Sequence, residues 1–539
     1  MPDYAPSYIL VHDVGTTGNK ACLYQVSETL ELISSHVVEY PVYILPDGGA
    51  EQKVDEWWEA ITSSTSHVLK ESGVDPADIK GMAFCAQMTA YIPVDKSGAA
   101  LRNPMSYLDG RSTAQISRHL YTGLLRIDNM NLFKLLRFVR ITGGGAASAK
   151  DSLWKYIWVR DNEPEIHAAT HKWLDVKDYL VLRCTGEFTM GYDSANVTFL
   201  YDTRPGKLGW NEALCRTYDV DMDHLPKIVG ATQMVGKLLS GPAGELGLRD
   251  GIPVYGGGGD LSMISLGSGG FEINDTHIYI GTSGWVVANI DKRMTDIGSL
   301  VAGVIGAMPG RYNYIAEQET SGTCLQWVRD HLVKDEIGVH LSERAIDNVE
   351  EAEISLYNLL NLAVAETKPG SGGVIFTPWM HGNRSPFEDP YVRGMYFNIS
   401  LDTGKRHLIR AVLEGVAYHK RWMLEAIEKK VPQQETLRFV GGGAQSDQWA
   451  QILADVTQRS IEVVANPQNV GALGAAITAA VGLGLTNFDN AKTMIKVEKI
   501  FRPLPQNCEV YEPQFEIFKR LYHQNHKLYK ALNELQGYE

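Results

Sequence analysis

The stretch Tyr8-Ile-Leu-Val-His-Asp-Val-Gly-Thr-Thr-Gly18 is an apolar, β-branched run that stops at a turn of glycine and threonine. Half a chain later His277-Ile-Tyr-Ile-Gly-Thr-Ser-Gly284 repeats the pattern. Apolar runs cut short by glycine read as strands entering tight turns. In each copy a second apolar segment follows, Ala21–Tyr24 after the first turn and Trp285–Ala288 after the second. A near-copy of one loop at this separation predicts two similar α/β halves facing each other, with their glycine turns converging on one cleft. The small-residue stretch Ser262–Gly270 puts the boundary near 262–275, giving halves of about 1–262 and 263–539.

Two further glycine clusters fit this plan. Ile252-Pro-Val-Tyr255 runs into Gly256-Gly-Gly-Gly-Asp260, and Leu437-Arg-Phe-Val440 runs into Gly441-Gly-Gly-Ala-Gln445. Helical signals lie between the strands. Asp55 opens an amphipathic stretch toward Lys70, and Lys405–Lys429 carries Leu408, Val412, Leu413 and Val416 at helical spacing. Ser446 is placed to N-cap a helix over Asp447–Gln458. Gly471–Val481 is built of small residues, which suits a helix packed very close to a neighbour. Strands that alternate with helices define an α/β class.

Composition narrows the function. The 539 residues are 44% hydrophobic and 21% charged, as in an ordinary globular protein of two or more domains. Asp and Glu outnumber Lys and Arg by 64 to 50, for a net charge of −14. A binder of the nucleic-acid backbone needs a basic face, so no nucleic-acid partner is expected. The stretch Met1–Gly15 lacks the order of basic and apolar segments found in a secretory leader, and no apolar run of about 18 residues occurs. The six cysteines are scattered singly with no C-x-x-C pair, the pattern of buried thiols in a reducing compartment. The expectation is a cytoplasmic protein with no membrane partner.

The glycine turns carry the chemistry. In Asp13-Val-Gly-Thr-Thr-Gly-Asn-Lys20 the turn lets backbone N–H groups and hydroxyls come close to a phosphate, and Asp13 can hold a hydrated Mg²⁺. The Walker spacing G-x-x-x-x-G-K-[ST] is missing, and a plain hairpin turn would look the same. Pairing with Gly281-Thr-Ser-Gly284 favours a clamp on a polyphosphate, one turn from each half. Asp260, projecting after four glycines, is placed to accept a proton from a substrate hydroxyl, though it could equally cap the following segment. Gly441–Gln445 offers a flat seat for a nucleotide base or sugar, or merely a tight β–α connection.

These segments, in this order and over nearly the whole chain, resemble the FGGY family of carbohydrate kinases, most closely in the pattern of its xylulokinases. The resemblance implies two actin-like (ribonuclease H-like) ATPase domains facing a central cleft. It implies ATP and Mg²⁺ as cofactors and a small sugar or polyol as substrate. Asp13–Lys20 and Gly281–Gly284 look like the two phosphate loops, with Thr16, Thr17, Lys20, Gly281, Thr282 and Ser283 on the nucleotide and Asp13 on the metal. Gly442, Gly443 and Gln445 look like adenine-side residues, and Asp260 falls on the catalytic base. Gln87, Met88, Asp109 and Arg111 match the sugar side, while Lys155-Tyr-Ile-Trp158 and Gly382-Asn-Arg384-Ser-Pro386 resemble two further segments of the family.

The departures gather on the sugar side. Thr89 stands where xylulokinases usually carry a histidine, Leu261 where an Asn or Gln commonly follows the base, and Tyr107-Leu108 where Trp-Asn is usual. Asn383 replaces a Glu and Asn398 a Gly. The expected reaction is transfer of the γ-phosphoryl of ATP to D-xylulose, with ribulose, erythritol or glycerol as other acceptors. An actin-like chaperone or cytoskeletal ATPase is the alternative outside the kinases, and a homodimer is left open.

Overall fold

A computed structural model describes residues 7–127, 130–333 and 349–534. The first quoted stretch forms β1 (Ser7–Val14), which turns tightly into antiparallel β2 (Gly18–Val26); β3 (Leu30–Glu39) pairs with β2. On the other side of β1 lie β4 (Ile79–Ala86) and β5 (Pro253–Tyr255), both parallel. The second stretch does the same. β6 (Thr276–Ile280) turns into antiparallel β7 (Gly284–Ile290), β8 (Tyr312–Gln318) pairs with β7, and β9 (Thr436–Val440) and β10 (Ser460–Val464) run parallel beyond β6. The spatial orders β5-β4-β1-β2-β3 and β10-β9-β6-β7-β8 are the same. The repeat seen in two short turns is therefore a repeat of whole sheets, and the protein is an α/β pair of actin-like domains.

Central strands buried on both faces need apolar runs, and Ile9, Leu10 and Val11 of β1 are fully buried. The outer face of the first sheet is covered by α1 (Val54–Ser72), ended by Gly73 in the left-handed region at φ 65°. The outer face of the second sheet carries α3 (Lys405–Glu428) and α4 (Asp447–Thr457), the latter capped by Ser446, whose hydroxyl accepts the Trp449 N–H at 3.2 Å.

Between the sheets run α2 (Asp260–Gly267) and α5 (Val470–Gly482). A Cβ on Gly267 would overlap the Val470 carbonyl, and one on Gly474 would overlap the Met263 carbonyl. The two helices thus cross with backbone against backbone. Although α5 comes late in the chain, it packs on β1 and β4 of the first sheet. One apolar core contains Ile9, Val11 and Ala83 from the first sheet, Val287 and Val440 from the second, and Ala472 and Ala476 from α5.

The boundary expected near 262–275 falls on α2 and the segment just after it. Residue 262 lies inside α2, so a break between 262 and 263 would divide a helix. Its small residues are there for close packing and not for flexibility. Asp260 is likewise not the N-cap; that position is Gly259. Among the described residues no helix is long and apolar enough to cross a membrane, and the cysteines are unpaired.

Gly474→Ala is expected to lower stability by about 1–3 kcal/mol or more, because the added methyl must push two helix backbones apart. Gly244→Ala, whose methyl meets nothing within 4 Å, is the control and is expected to hold or gain stability. Thermal denaturation of the pair separates a crossing effect from a general glycine effect.

Candidate active site

Both hairpin turns open on one cleft of about 470 Å³ between the two halves. In the first turn the Gly15 N–H closes onto the Gly18 carbonyl at 2.9 Å, while the carbonyls of Thr16 and Thr17 are held from behind by Gln52 Nε2 (2.7 Å) and the Tyr40 N–H (2.9 Å). In the second, the Gly281 N–H closes onto the Ser283 carbonyl at 3.0 Å. The Thr282 carbonyl is held by the Ser321 N–H at 3.1 Å and the Thr323 hydroxyl at 2.7 Å. With these carbonyls turned away, Thr16, Thr17, Thr282 and Ser283 line the cleft, as suits an anionic ligand.

Asp260 stands on the same cleft at the start of α2. The glycines before it bring the chain into contact with β4. Gly257 has φ 57°, and a Cβ there would overlap the Phe84 carbonyl. The Asp260 carboxylate accepts the Leu261 N–H at 2.8 Å. Burial first, then the nearby charges of Asp13, Glu317 and Asp175, push its pKa up to about 7. A carboxylate poised there can accept a proton near neutral pH.

Asp13 also faces the cleft, at the end of β1, and a Cβ on Gly471 of α5 would come within 3.0 Å of its Oδ2. Lys20 Nζ donates to the Gln468 carbonyl at 2.8 Å, tying β2 to the segment that enters α5. Gln87 and Met88 are on the cleft wall, followed by Thr89 in the left-handed region at φ 64°. That strained turn is held from beneath. The Thr89 and Ala90 N–H groups donate to Asp175 at 3.0 Å each, and Lys155 Nζ donates to the Thr89 carbonyl at 2.8 Å. Gln87 Nε2 reaches Gln52 Oε1 at 2.8 Å, so one side chain joins this turn to the first phosphate turn.

The structure separates other expected residues from the cleft. Asp109 is fully buried and pairs with Arg111 at 2.6 Å, and Arg111 also meets Glu51 at 2.7 Å, with its guanidinium 4.6 Å from the Trp158 ring centroid. Asp109 accepts the Ala50 N–H at 3.0 Å as well. This closed ion pair braces the segment that carries Gln52; it is not part of the cleft wall. Gly281 starts the second turn without lining the cleft. Gly442, Gly443 and Gln445 form a short turn after β9, beside the second phosphate turn. A Cβ on Gly443 would come within 2.7 Å of Ile280 Cγ2, whereas Gly442 faces open space.

Sequence reasoning missed several cleft residues: Lys150, Asp151, Glu317 and Glu319. Arg384, quoted only as part of a motif, pairs there with Glu317 at 2.5 Å and Glu319 at 2.8 Å. Tyr107, at a position of departure, bonds the Thr16 hydroxyl at 3.2 Å.

The N-terminal domain model of the FGGY family of carbohydrate kinases matches residues 8–267, and the C-terminal domain model matches 277–483. A xylulose kinase of Staphylococcus epidermidis is 29% identical, over 98% of this chain and 96% of that protein. A gluconokinase of Bacillus subtilis is 26% identical, over 96% and 95%. The solved ligand-bound xylulose kinase of Lactobacillus acidophilus superposes with a TM-score of 0.82 at 20% identity, covering 98% of this chain and all of that one. The chain belongs to the FGGY family of carbohydrate kinases. It is a sugar phosphotransferase that uses ATP, which displaces the chaperone or filament reading.

Arg111→Met is expected to destabilise the fold by about 3–5 kcal/mol, since it leaves Asp109 buried without its counter-charge. The KM for sugar should stay close to wild type in the protein that folds. A large rise in sugar KM with unchanged stability would return Arg111 to the substrate.

Proposed function

We propose that this kinase transfers the γ-phosphoryl of ATP to a hydroxyl of a small ketose, with D-xylulose as the first candidate. The observation that carries the mechanism is Asp260, poised near pH 7 on the cleft that both hydroxyl turns line. Thr16, Thr17, Thr282 and Ser283 position the phosphates, and Gln87 and Met88 orient the sugar. Gly442, Gly443 and Gln445, on the outer side of the second turn, take the adenine end. Asp260 accepts the proton of the attacking hydroxyl as its oxygen bonds to phosphorus and ADP departs. Asp13 fits Mg²⁺, being a hard carboxylate oxygen on the cleft wall with only glycine at position 471 before it. Bound Mg²⁺ supplies charge that neutralises the phosphoryl oxygens.

D-Xylulose is favoured by the xylulose kinases among the relatives. A second reading, an aldonate such as gluconate, draws on the gluconokinase relative and on Lys150, a basic residue that lines the same cleft. Ribulose, erythritol and glycerol complete the panel, since Thr89 and Leu261 remove two polar contacts of the xylulokinase pattern. A screen of these acceptors, coupled to ADP release, decides the substrate. D-Xylulose is expected to give the highest kcat/KM, and a higher value for gluconate would establish the second reading.

Asp260→Asn should lower kcat by at least about 10²-fold and leave the Kd of an ATP analogue nearly unchanged. In the wild type the protonated carboxyl cannot accept the hydroxyl proton. With both substrates below their KM, the rate should therefore fall about tenfold per pH unit below about pH 7. A flat profile from pH 5 to 8 would remove Asp260 from the base role.

A further inference from the structure

Behind Gly284, where the second phosphate turn enters β7, lie two buried polar atoms without hydrogen-bond partners among the described residues, Lys420 Nζ and Ser321 Oγ, and Gln318, paired with Gly284 across β7 and β8, leaves a third, its Oε1. Lys420 and Ser321 are fully buried, and Gln318 reaches the cleft wall. A side chain on Gly284 would collide with the Lys420 amine and come within 2.8 Å of Ser321 Oγ, so the glycine leaves the amine pressed against the turn. An uncompensated buried lysine is costly, and an apolar side chain of like length would fill the place without that cost.

Among the described residues no counter-charge answers it. The groups that face Lys420 are Cys324, from the helix Gly322–Val328, whose thiol burial pushes up to about 12, and its neighbour His419 on α3, which burial pushes down to about 3. The phenol of Tyr279 on β6 is likewise held neutral by burial. All three are uncharged at neutral pH. Burial also drives the Lys420 amine well below its ordinary value. What lies on the far side of Gly284 is the turn Thr282–Ser283 and the cleft, where Arg384 is already taken up by Glu317 and Glu319, so a polyphosphate there gains from further positive charge.

We propose that Lys420 is a positioning residue for the terminal phosphates of the nucleotide, its amine held behind the second phosphate turn and set against their charge through the gap at Gly284. This rests on the kinase reading above. The negative charge of a phosphate on the turn favours the ammonium form, so nucleotide binding and proton uptake are linked at this side chain. The linkage would be specific to ligands that carry phosphate.

Calorimetry on the Asp260→Asn protein, which removes one titrating carboxylate of the cleft and leaves Asp151, pushed up to about 6 by burial, as a background common to both proteins, tests this in buffers of differing ionisation enthalpy. At pH 8 a non-hydrolysable ATP analogue is expected to bind with uptake of protons, and adding Lys420→Met should remove close to one of them. Lys420→Met should also weaken the analogue about tenfold while leaving adenosine affinity unchanged. Equal weakening of adenosine and analogue, or unchanged proton uptake, would show that the lysine is only structural and would overturn the proposal. Should Lys420→Met not fold, absence of proton uptake in the Asp260→Asn protein alone overturns it, and Ser321→Ala, expected to weaken the analogue but not adenosine, carries the comparison. Failure of the wild type to bind the analogue would remove the kinase reading and the proposal together, an outcome distinct from binding without the linked proton.

Discussion

The contact on which the rest depends is the crossing of α2 and α5 at Gly267 and Gly474. There is no side chain in it; the backbone of each helix lies against a carbonyl of the other. That closeness lets a single pair of helices fill the space between two sheets. It also sets where the chemistry falls. The first residue of α2 is Asp260, and the first turn of α5 lies against Asp13, so two carboxylates of the cleft take their positions from the same packed pair. A methyl group at the crossing would move the site as well as the core.

Around those helices the site is built by directing hydrogen bonds outward from the cleft. Thr16 and Thr17 have their carbonyls claimed by Gln52 and Tyr40, and Thr282 has its carbonyl claimed by Ser321 and Thr323. The turns need no ligand to be ordered, and so they are preorganised for one. Asp260 gains its poise differently, by burial among like charges. The sugar-side turn is the strained part. Thr89 keeps its left-handed conformation because Asp175 and Lys155 grip both of its neighbouring peptide groups.

Much of this was legible in the sequence, for definite reasons. β1 and β6 are apolar runs halted by glycine, and that pattern has few other meanings. The helices at 405–428, 447–457 and 470–482 follow from periodicity, from Ser446 as a cap and from a run of small residues. What escaped reading is of another kind. Gln52, Asp175 and Tyr107 act through partners 36, 86 and 91 positions away, and no local pattern marks such pairs. Asp109 and Arg111 were legible as a motif but not as a closed ion pair, because Glu51 and Trp158 complete it from elsewhere. Ser262–Gly270 reads as a flexible boundary in the sequence because small residues serve flexibility and close packing alike.

The interleaved core has a consequence for how such a molecule can be divided. The two sheets are copies, yet α5, which follows β10 of the second, covers β1 and β4 of the first. A fragment ending at Gly267 would leave Ile9, Val11 and Ala83 bare to water, and the remainder would carry a helix with no sheet to lie on. The unit that was repeated is therefore smaller than the unit that is stable. Two halves with one strand order are joined, through one pair of glycines, into a single object.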